Sequence, residues 1–336
     1  MGISPSMHAM VLEAVGKPLI YRTVPVPDPA ANQVLVKILA CGVCRTDLHI
    51  TEGELTRPEL PLIPGHEVIG IVVRRGEQAV RLKVGDLVGI PWMGYTCGTC
   101  RYCLSDRENL CENAIFTGYT MNGGYAEYMV AFEPFCIPLP PLFQDLSKAS
   151  LLCAGLIGYR AYRMIGDGAE NIGFYGFGAA AQILIQIARH QHKNIYAFTR
   201  DGDLEAQDFA RKLGASWAGG STQKAPLKLD ASIIFASPGY LVPKALEDVD
   251  KGGVVICGGI HMSDIPSFPY DILWEERSIR SIANLTRKDA TAFLGISAEV
   301  NINTQTRFYP LEQANSALAD LKNGKFQGAA VLVMDQ

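Results

Sequence analysis

The chain has 336 residues, of which 48% are hydrophobic and 19% charged, with a formal net charge of −4. That length suits about two well-packed domains, and the composition is that of a globular protein rather than a disordered one. The acidic balance, without a basic stripe, excludes a nucleic-acid partner. No apolar run reaches the roughly 18 residues of a membrane span, and the opening MGISPSMHAM lacks the basic and apolar regions of a secretory leader, so a cytoplasmic, membrane-free protein is expected.

From Met7 to about Pro140, short β-rich runs such as VLVKIL (34 to 39) and VIGIVV (68 to 73) are separated by Gly and Pro, which predicts a compact barrel-like β unit. From Ser150 onward, strands alternate with longer helical patterns. In AAAQILIQIARHQH, Ile183, Ile187 and His190 fall on helical spacing, and the strand-like ASIIFAS (231 to 237) and GVVICGG (253 to 259) carry the alternation to about residue 285. This predicts βαβ units on a parallel sheet. The last fifty residues break the pattern with a helix-like LEQANSALADLKNGK and the apolar strand AAVLVM, which could close back onto the first domain.

Nine cysteines make a poor disulfide framework, because the number is odd and four crowd into fifteen positions. Cys97, Cys100, Cys103 and Cys111 are spaced C-x2-C-x2-C-x7-C. Four thiolates satisfy a tetrahedral zinc ion completely and leave no open position, so this site is expected to be structural, with an iron–sulfur cluster as the alternative. Other potential ligands lie outside this lobe: Cys44 and His49 in CGVCRTDLH, His66 and Glu67 in PGHEVIG, and Cys153 in LLCAGLIGY. A catalytic zinc needs three protein ligands and one exchangeable position, and two thiolates with one imidazole form a neutral set suited to a Lewis acid. Each of these residues alone is weak evidence, since a lone His or Cys is usually structural.

In combination, CGVCRTDLH, PGHEVIG, the four-cysteine lobe, GGYAEY, LLCAGLIGY and GFYGFGAAA stand in an order that resembles the zinc-dependent medium-chain alcohol dehydrogenases, from about residue 8 to the C-terminus. The resemblance implies an α/β protein. Its GroES-like β-rich catalytic domain would occupy 1–149 and 287–336, with the structural zinc lobe at 93–113, and a Rossmann-type doubly wound parallel sheet would occupy 150–286. It implies two zinc ions per chain, the catalytic one on Cys44, His66 and Cys153, with Glu67 near enough to replace bound water as a fourth ligand. Asp47 would partner the His66 imidazole. Thr46 would hydrogen-bond the substrate oxygen, and His49 would pass the proton to solvent by way of the cofactor ribose. A hydroxyl both donates and accepts, and a histidine titrates near neutral pH, so the two are chemically fit for a relay. Cys41, although part of a C-x-x-C with Cys44, reads as packing, as do Cys136 and Cys257.

NIGFYGFGAAAQI places Gly176, Gly178 and Ala181 in G-x-G-x-x-A between a strand-like run and an amphipathic helix, as a dinucleotide pyrophosphate requires. At the end of the next strand, in NIYAFTRDGD, Thr199 stands where NAD enzymes usually carry an acid, and Arg200 follows. A hydroxyl with a guanidinium suits a 2′-phosphate, so NADP is expected over NAD, although Asp201 and Asp203 lie close by.

By the resemblance, Arg45 would touch the pyrophosphate, while Ala329 stands where many relatives carry a second arginine and Ile157 replaces a common Thr. The substrate pocket would include Trp92, Tyr119 and Leu285. Leu55 stands where enzymes restricted to the smallest alcohols often carry Trp, which implies room for medium-chain or aromatic alcohols and aldehydes. A homodimer or homotetramer is implied as well. The rival readings are a polyol or sugar-alcohol dehydrogenase of the same fold and a non-catalytic, zinc-stabilised dinucleotide-binding protein. Cys153 with the intact lobe counts against the first, and the relay residues Thr46 and His49, with Glu67, count against the second.

Overall fold

The computed structural model describes residues 3–55, 58–326 and 328–334. The chain divides into two compact units: 1–153 with 284–294 and 304–336, and 154–283 with 295–303. The first division falls at Cys153, a few residues later than the change of sequence texture suggests. Among the described residues, no helix is long and apolar enough to cross a membrane.

The first unit is organised around the strand Gln33–Val43, whose residues QVLVKILACGV are nearly all buried. Its β-branched run suits a strand covered on both edges, and it is paired antiparallel with Val68–Arg75, Tyr128–Phe132 and Ala329–Val333. The C-terminal AAVLVM therefore does close onto the N-terminal sheet, with Ala330 opposite Val43. Thr306–Pro310, Leu87–Ile90 and Ile137–Pro138 complete the seven-stranded sheet.

The cysteine lobe is pinched at its base by the antiparallel pairing of Met93–Tyr95 with Ile115–Phe116. Its buried Glu108 accepts from the Arg287 backbone amide at 2.9 Å, and Asp106 accepts from Lys288 Nζ at 2.5 Å. Arg287 opens a 14-residue helix, Arg287–Val300, which the sequence reading did not anticipate. Thr286 and Asp289 exchange hydrogen bonds at its start, Thr286 N donating to Asp289 Oδ2 at 3.0 Å and Asp289 N to Thr286 Oγ1 at 3.1 Å, a capping box.

The second unit holds six parallel strands in the spatial order Trp217–Gly220, Asn194–Thr199, Asn171–Tyr175, Leu229–Ile234, Val249–Cys257, Ser278–Ser281. Chain order reverses beside Asn171–Tyr175, the switch point at which doubly wound sheets bind dinucleotides. Helix Ala179–His190 buries Ile183 and Ile187 as its spacing predicts, whereas His190 lies outside that face, 4.0 Å from Glu299. Within the core, the Tyr175 and Phe198 rings stack at 4.1 Å. The Tyr175 hydroxyl donates to Asp248 Oδ2 at 2.5 Å, and Lys244 pairs with the same carboxylate.

Candidate active site

Helix Arg45–Glu52 begins at the first candidate ligand. Cys44 is its N-cap in extended conformation, its Sγ accepting from Thr46 N at 3.3 Å, and the Asp47 carboxylate Oδ2 accepts from Cys44 N at 2.9 Å. A sulfur in the capping position and an acid three residues on thus fix where the Cys44 side chain starts. The other oxygen of Asp47, Oδ1, lies 3.2 Å from His66 Nδ1, with both side chains excluded from solvent. Their approach is angled, so the contact is charge pairing more than a well-directed hydrogen bond. It turns the opposite nitrogen, Nε2, to 3.1 Å from Cys44 Sγ.

Ligand atoms of Cys44, His66, Glu67 and Cys153 all lie within 4.8 Å of one another. Cys153 follows the 3-10 turn Leu146–Leu152, and His66 and Glu67 precede the strand Val68–Arg75. Glu67 reaches the cluster because residue 42 has no side chain: a Cβ on Gly42 would stand 1.7 Å from Glu67 Oε2. Cys41, three residues before Cys44, lies apart from this cluster. Its buried sulfur sits against the faces of Gly65 and Gly124 and donates to the Gly42 carbonyl at 3.5 Å, as packing requires.

The electrostatics call for a cation. The Cys153 thiol hydrogen-bonds to the Cys44 sulfur, which, against the cost of burial and with the help of His66, pulls Cys44 well below the ordinary thiol range and pushes Cys153 well above it. Burial pushes the carboxyls of Asp47 and Glu67 up, and the Cys44 charge raises both further. His66 rises well above the usual imidazole range: burial alone would lower it, but the negative charges of Cys44 and Asp47 prevail. Two half-buried sulfurs and two buried carboxyl groups are gathered around one buried imidazole, and among the described residues no lysine or arginine pairs with either acid. A metal ion would stabilise the ionised forms that burial disfavours here, and two thiolates with an imidazole are ligands zinc accepts.

The lobe cysteines fit a closed site. Cys100 and Cys103 sulfurs are 3.5 Å apart, Cys97 and Cys111 3.5 Å, and Cys97 and Cys103 3.9 Å. These match the edge of about 3.8 Å of a tetrahedron with zinc–sulfur bonds of about 2.3 Å. Backbone amides of Thr99 and Cys100 aimed at the Cys97 sulfur lower its pKa to about 6, favouring the thiolate.

Around the ligand set, the Trp92 ring meets His66 edge-on at 5.0 Å and stacks on Tyr119 at 5.6 Å and on Phe116 at 5.2 Å. Phe116 was not foreseen as part of this wall. Leu55, Trp92 and Tyr119 are half-buried against the core of the first unit, and Leu285 is buried. His49 lies near the end of helix Arg45–Glu52, where its Nδ1 is hydrogen-bonded to Oε2 of Glu54. Glu54 had no signal beyond its place after Gly53.

In the second unit, Gly176 has φ 94°, and a Cβ there would press on Ala236 at 3.0 Å, while Gly178 faces open space at the N-cap of Ala179–His190. No side chain caps that helix, so its first amides stay available to an anion, and Ala181 is fully buried beneath. Thr199 departs from the expectation. Its hydroxyl is buried, donates to the Arg200 carbonyl at 3.0 Å and accepts from Gln207 Nε2 at 3.2 Å, so it is committed to the protein rather than offered to a ligand. Arg200 is exposed, whereas Asp201 accepts from Thr222 Oγ1 at 2.8 Å and Asp203 caps Leu204–Leu213 through Ala206 N at 3.0 Å.

Comparison with known proteins agrees with this geometry. Residues 30–141 match the family model of the alcohol dehydrogenase GroES-like domain. The chain is 44% identical to a probable alcohol dehydrogenase, AdhA, of Mycobacterium tuberculosis over 94% of its own length and 93% of the relative's. It is 34% identical to an alcohol dehydrogenase of Geobacillus stearothermophilus, over 98% of this chain and 100% of that one. The structure of acetophenone reductase from Geotrichum candidum in complex with NAD superposes with a TM-score of 0.88 at 25% identity, covering 99% of this chain and 98% of the other. With its GroES-like sheet, its six-stranded parallel sheet and full-length relatives at this identity, the chain belongs to the zinc-dependent medium-chain alcohol dehydrogenase family.

Proposed function

We propose that this enzyme interconverts a primary alcohol, medium-chain or aromatic, and its aldehyde, with NADP favoured over NAD as hydride acceptor, one catalytic and one structural zinc per chain, and a homodimer or homotetramer as the working form. The observation that carries the reading is the convergence of Cys44, His66, Glu67 and Cys153 within 4.8 Å, with Asp47 behind the imidazole. Cys44, His66 and Cys153 would hold zinc, which would supply a Lewis acid for the substrate oxygen, and a bound nicotinamide would supply the hydride acceptor.

The chain's own residues do the rest. Asp47 keeps His66 oriented and Cys44 at the head of its helix, the hydroxyl of Thr46 holds the substrate oxygen, and His49 moves the proton to solvent. Trp92 and Tyr119 form an aromatic wall suited to an apolar substrate, and Leu55 is half-buried against the same core. The bare N-terminus after Gly178 would receive the cofactor's pyrophosphate, and Arg45 is the cation the family resemblance assigns to a phosphate. Exposed Arg200 supports the preference for a 2′-phosphate, because Asp201 is already hydrogen-bonded to Thr222 and Asp203 caps the following helix.

The test is to purify the protein with zinc retained and follow nicotinamide absorbance with benzaldehyde or hexanal, using NADPH and NADH in turn. Consumption of NADPH faster than NADH is expected. Failure of both cofactors across a broad aldehyde panel, in protein holding two zincs, would overturn the reading.

A further inference from the structure

Tyr125 is fully buried, yet among the described residues its hydroxyl has no well-directed hydrogen bond. The four other buried tyrosines do: Tyr162 donates to Gln191, Tyr175 to Asp248, Tyr196 to Asn171 and Tyr309 to Asp320. A hydroxyl taken out of water without a partner is costly, and a phenylalanine would fill the same space without that cost. The oxygen of Tyr125 therefore calls for a use.

The motif GGYAEY carries this ring to the chain segment that delivers His66. Gly123 N donates to the Ile63 carbonyl at 2.7 Å, Gly124 N to that of Gly65 at 3.0 Å and Tyr125 N to that of Pro64 at 2.9 Å. The phenol rests on the bare face of Gly65, where a Cβ would stand 2.4 Å from Tyr125 Cδ1, and the φ of 98° at Gly65 also favours glycine. There the hydroxyl reaches the Asp47 carboxylate: burial first, and then the charge of Asp47, push the phenol well above its ordinary range. Asp47 Oδ1 and His66 Nδ1 are likewise buried without a well-directed partner, 3.2 Å from each other. Three unfilled polar atoms, from three separate segments, thus gather behind one candidate ligand.

We propose that Tyr125 is a positioning residue of the metal centre, its hydroxyl donating to Asp47 Oδ1 so that phenol, carboxylate and imidazole form one file behind the zinc position. The proposal rests on the reading of Cys44, His66 and Cys153 as zinc ligands. A phenol carries one hydrogen to donate, and an ionised carboxylate only accepts. No lysine or arginine pairs with Asp47 among the described residues, so its charge is held by the Cys44 amide on Oδ2 and, on Oδ1, by Tyr125 and the imidazole. Tied from behind, the carboxylate keeps its place against His66 Nδ1, and Nε2 stays turned towards Cys44 Sγ, 3.1 Å away.

The experiment reads zinc rather than turnover. Zinc-saturated full-length protein is titrated with a chromophoric chelator as wild type, Tyr125→Phe, Asp47→Ala and the double variant, with the lobe zinc as internal reference. Tyr125→Phe removes one oxygen and keeps the ring. It is expected to weaken the catalytic site about tenfold, the lower end of the effect of outer partners of a metal ligand, and to leave the lobe zinc as it was. In the Asp47→Ala background the same change should cost nothing more, because the acceptor of the hydroxyl is gone. A tenfold loss in that background too would assign the effect to packing and overturn the proposal. If wild type held the lobe zinc alone, the zinc-ligand reading would fall and the proposal with it. If wild type held two zincs and Tyr125→Phe bound both as tightly, the role of Tyr125 alone would fall.

Discussion

Asp47 Oδ1 stands 3.2 Å from Nδ1 of His66, with both side chains at zero exposure, and Asp47 Oδ2 holds the Cys44 amide at 2.9 Å. One carboxylate thus sets the ring orientation of one candidate metal ligand and the backbone position of another. Asp47→Asn keeps the shape and removes the charge. Outer partners of this kind typically tune affinity by about 10- to 100-fold, and a loss of that size in zinc affinity is expected at this site. Competition with a chromophoric chelator would measure it, with zinc in the cysteine lobe as the unaffected internal control.

The lobe should be separable from the catalytic set. Cys103 lies 3.5 Å from the Cys100 sulfur and 3.9 Å from that of Cys97. Cys103→Ser is expected to reduce bound zinc from two to one per chain and to lower the Tm, because metal binding at such sites is linked to folding. Elemental analysis together with calorimetry checks this, and two zincs retained in the variant would contradict the closed-site assignment.

The proposed preference for NADP rests on Arg200 rather than on Thr199, whose hydroxyl is committed to the Arg200 carbonyl and Gln207. A charge-assisted hydrogen bond contributes about 1.5–3 kcal/mol, so Arg200→Ser should cut kcat/KM with NADPH by about 10- to 100-fold and leave NADH nearly unchanged. Thr199→Ala should leave the ratio of the two cofactors where it was. Steady-state kinetics with both cofactors decides between them.

Leu55 sits half-buried with Trp92 and Tyr119 against the core of the first unit. Hexanol or benzyl alcohol should be preferred over ethanol in kcat/KM, and Leu55→Trp should reduce that preference about tenfold, within the range of a few methylenes' worth of pocket. A wild-type ratio of hexanol to ethanol below one would contradict the wider pocket.

In the second unit, Asp248 receives both the Tyr175 hydroxyl and Lys244, whose side chain is 14% exposed while that of Asp248 is 5% exposed. Asp248→Ala leaves an ammonium and a hydroxyl without their acceptor in a largely dry place. A destabilisation of about 3 kcal/mol is expected by chemical denaturation.

Much of the candidate metal site could be read before any coordinates, because its candidate ligands sit in short motifs whose residue types admit few other uses. Cys44 and His66 each come with their local partner, and the four lobe cysteines fall within fifteen positions. Cys153 is separated from them by a long stretch of chain, and it was the ordered set of motifs resembling a family, not spacing, that joined it to them. The parallel sheet was legible from the alternation after residue 150. Helix Arg287–Val300 was missed although Thr286 and Asp289 carry the capping-box pattern, because its apolar spacing is weak. The inward commitment of Thr199 was hidden, since its partner Gln207 lies on the following helix and only folding brings the two together. Glu54 was hidden for a similar reason: its meeting with His49 depends on the left-handed turn at Gly53.

The most direct test is the comparison of wild type with Cys44→Ser, both assayed for zinc and for NADPH oxidation with benzaldehyde. The account predicts two zincs and rapid oxidation in the wild type, and in the variant the loss of one zinc with near-complete loss of activity while the lobe zinc stays. A Cys44→Ser enzyme that reduced benzaldehyde at the wild-type rate would contradict the assignment of Cys44, His66 and Cys153 as the catalytic metal site.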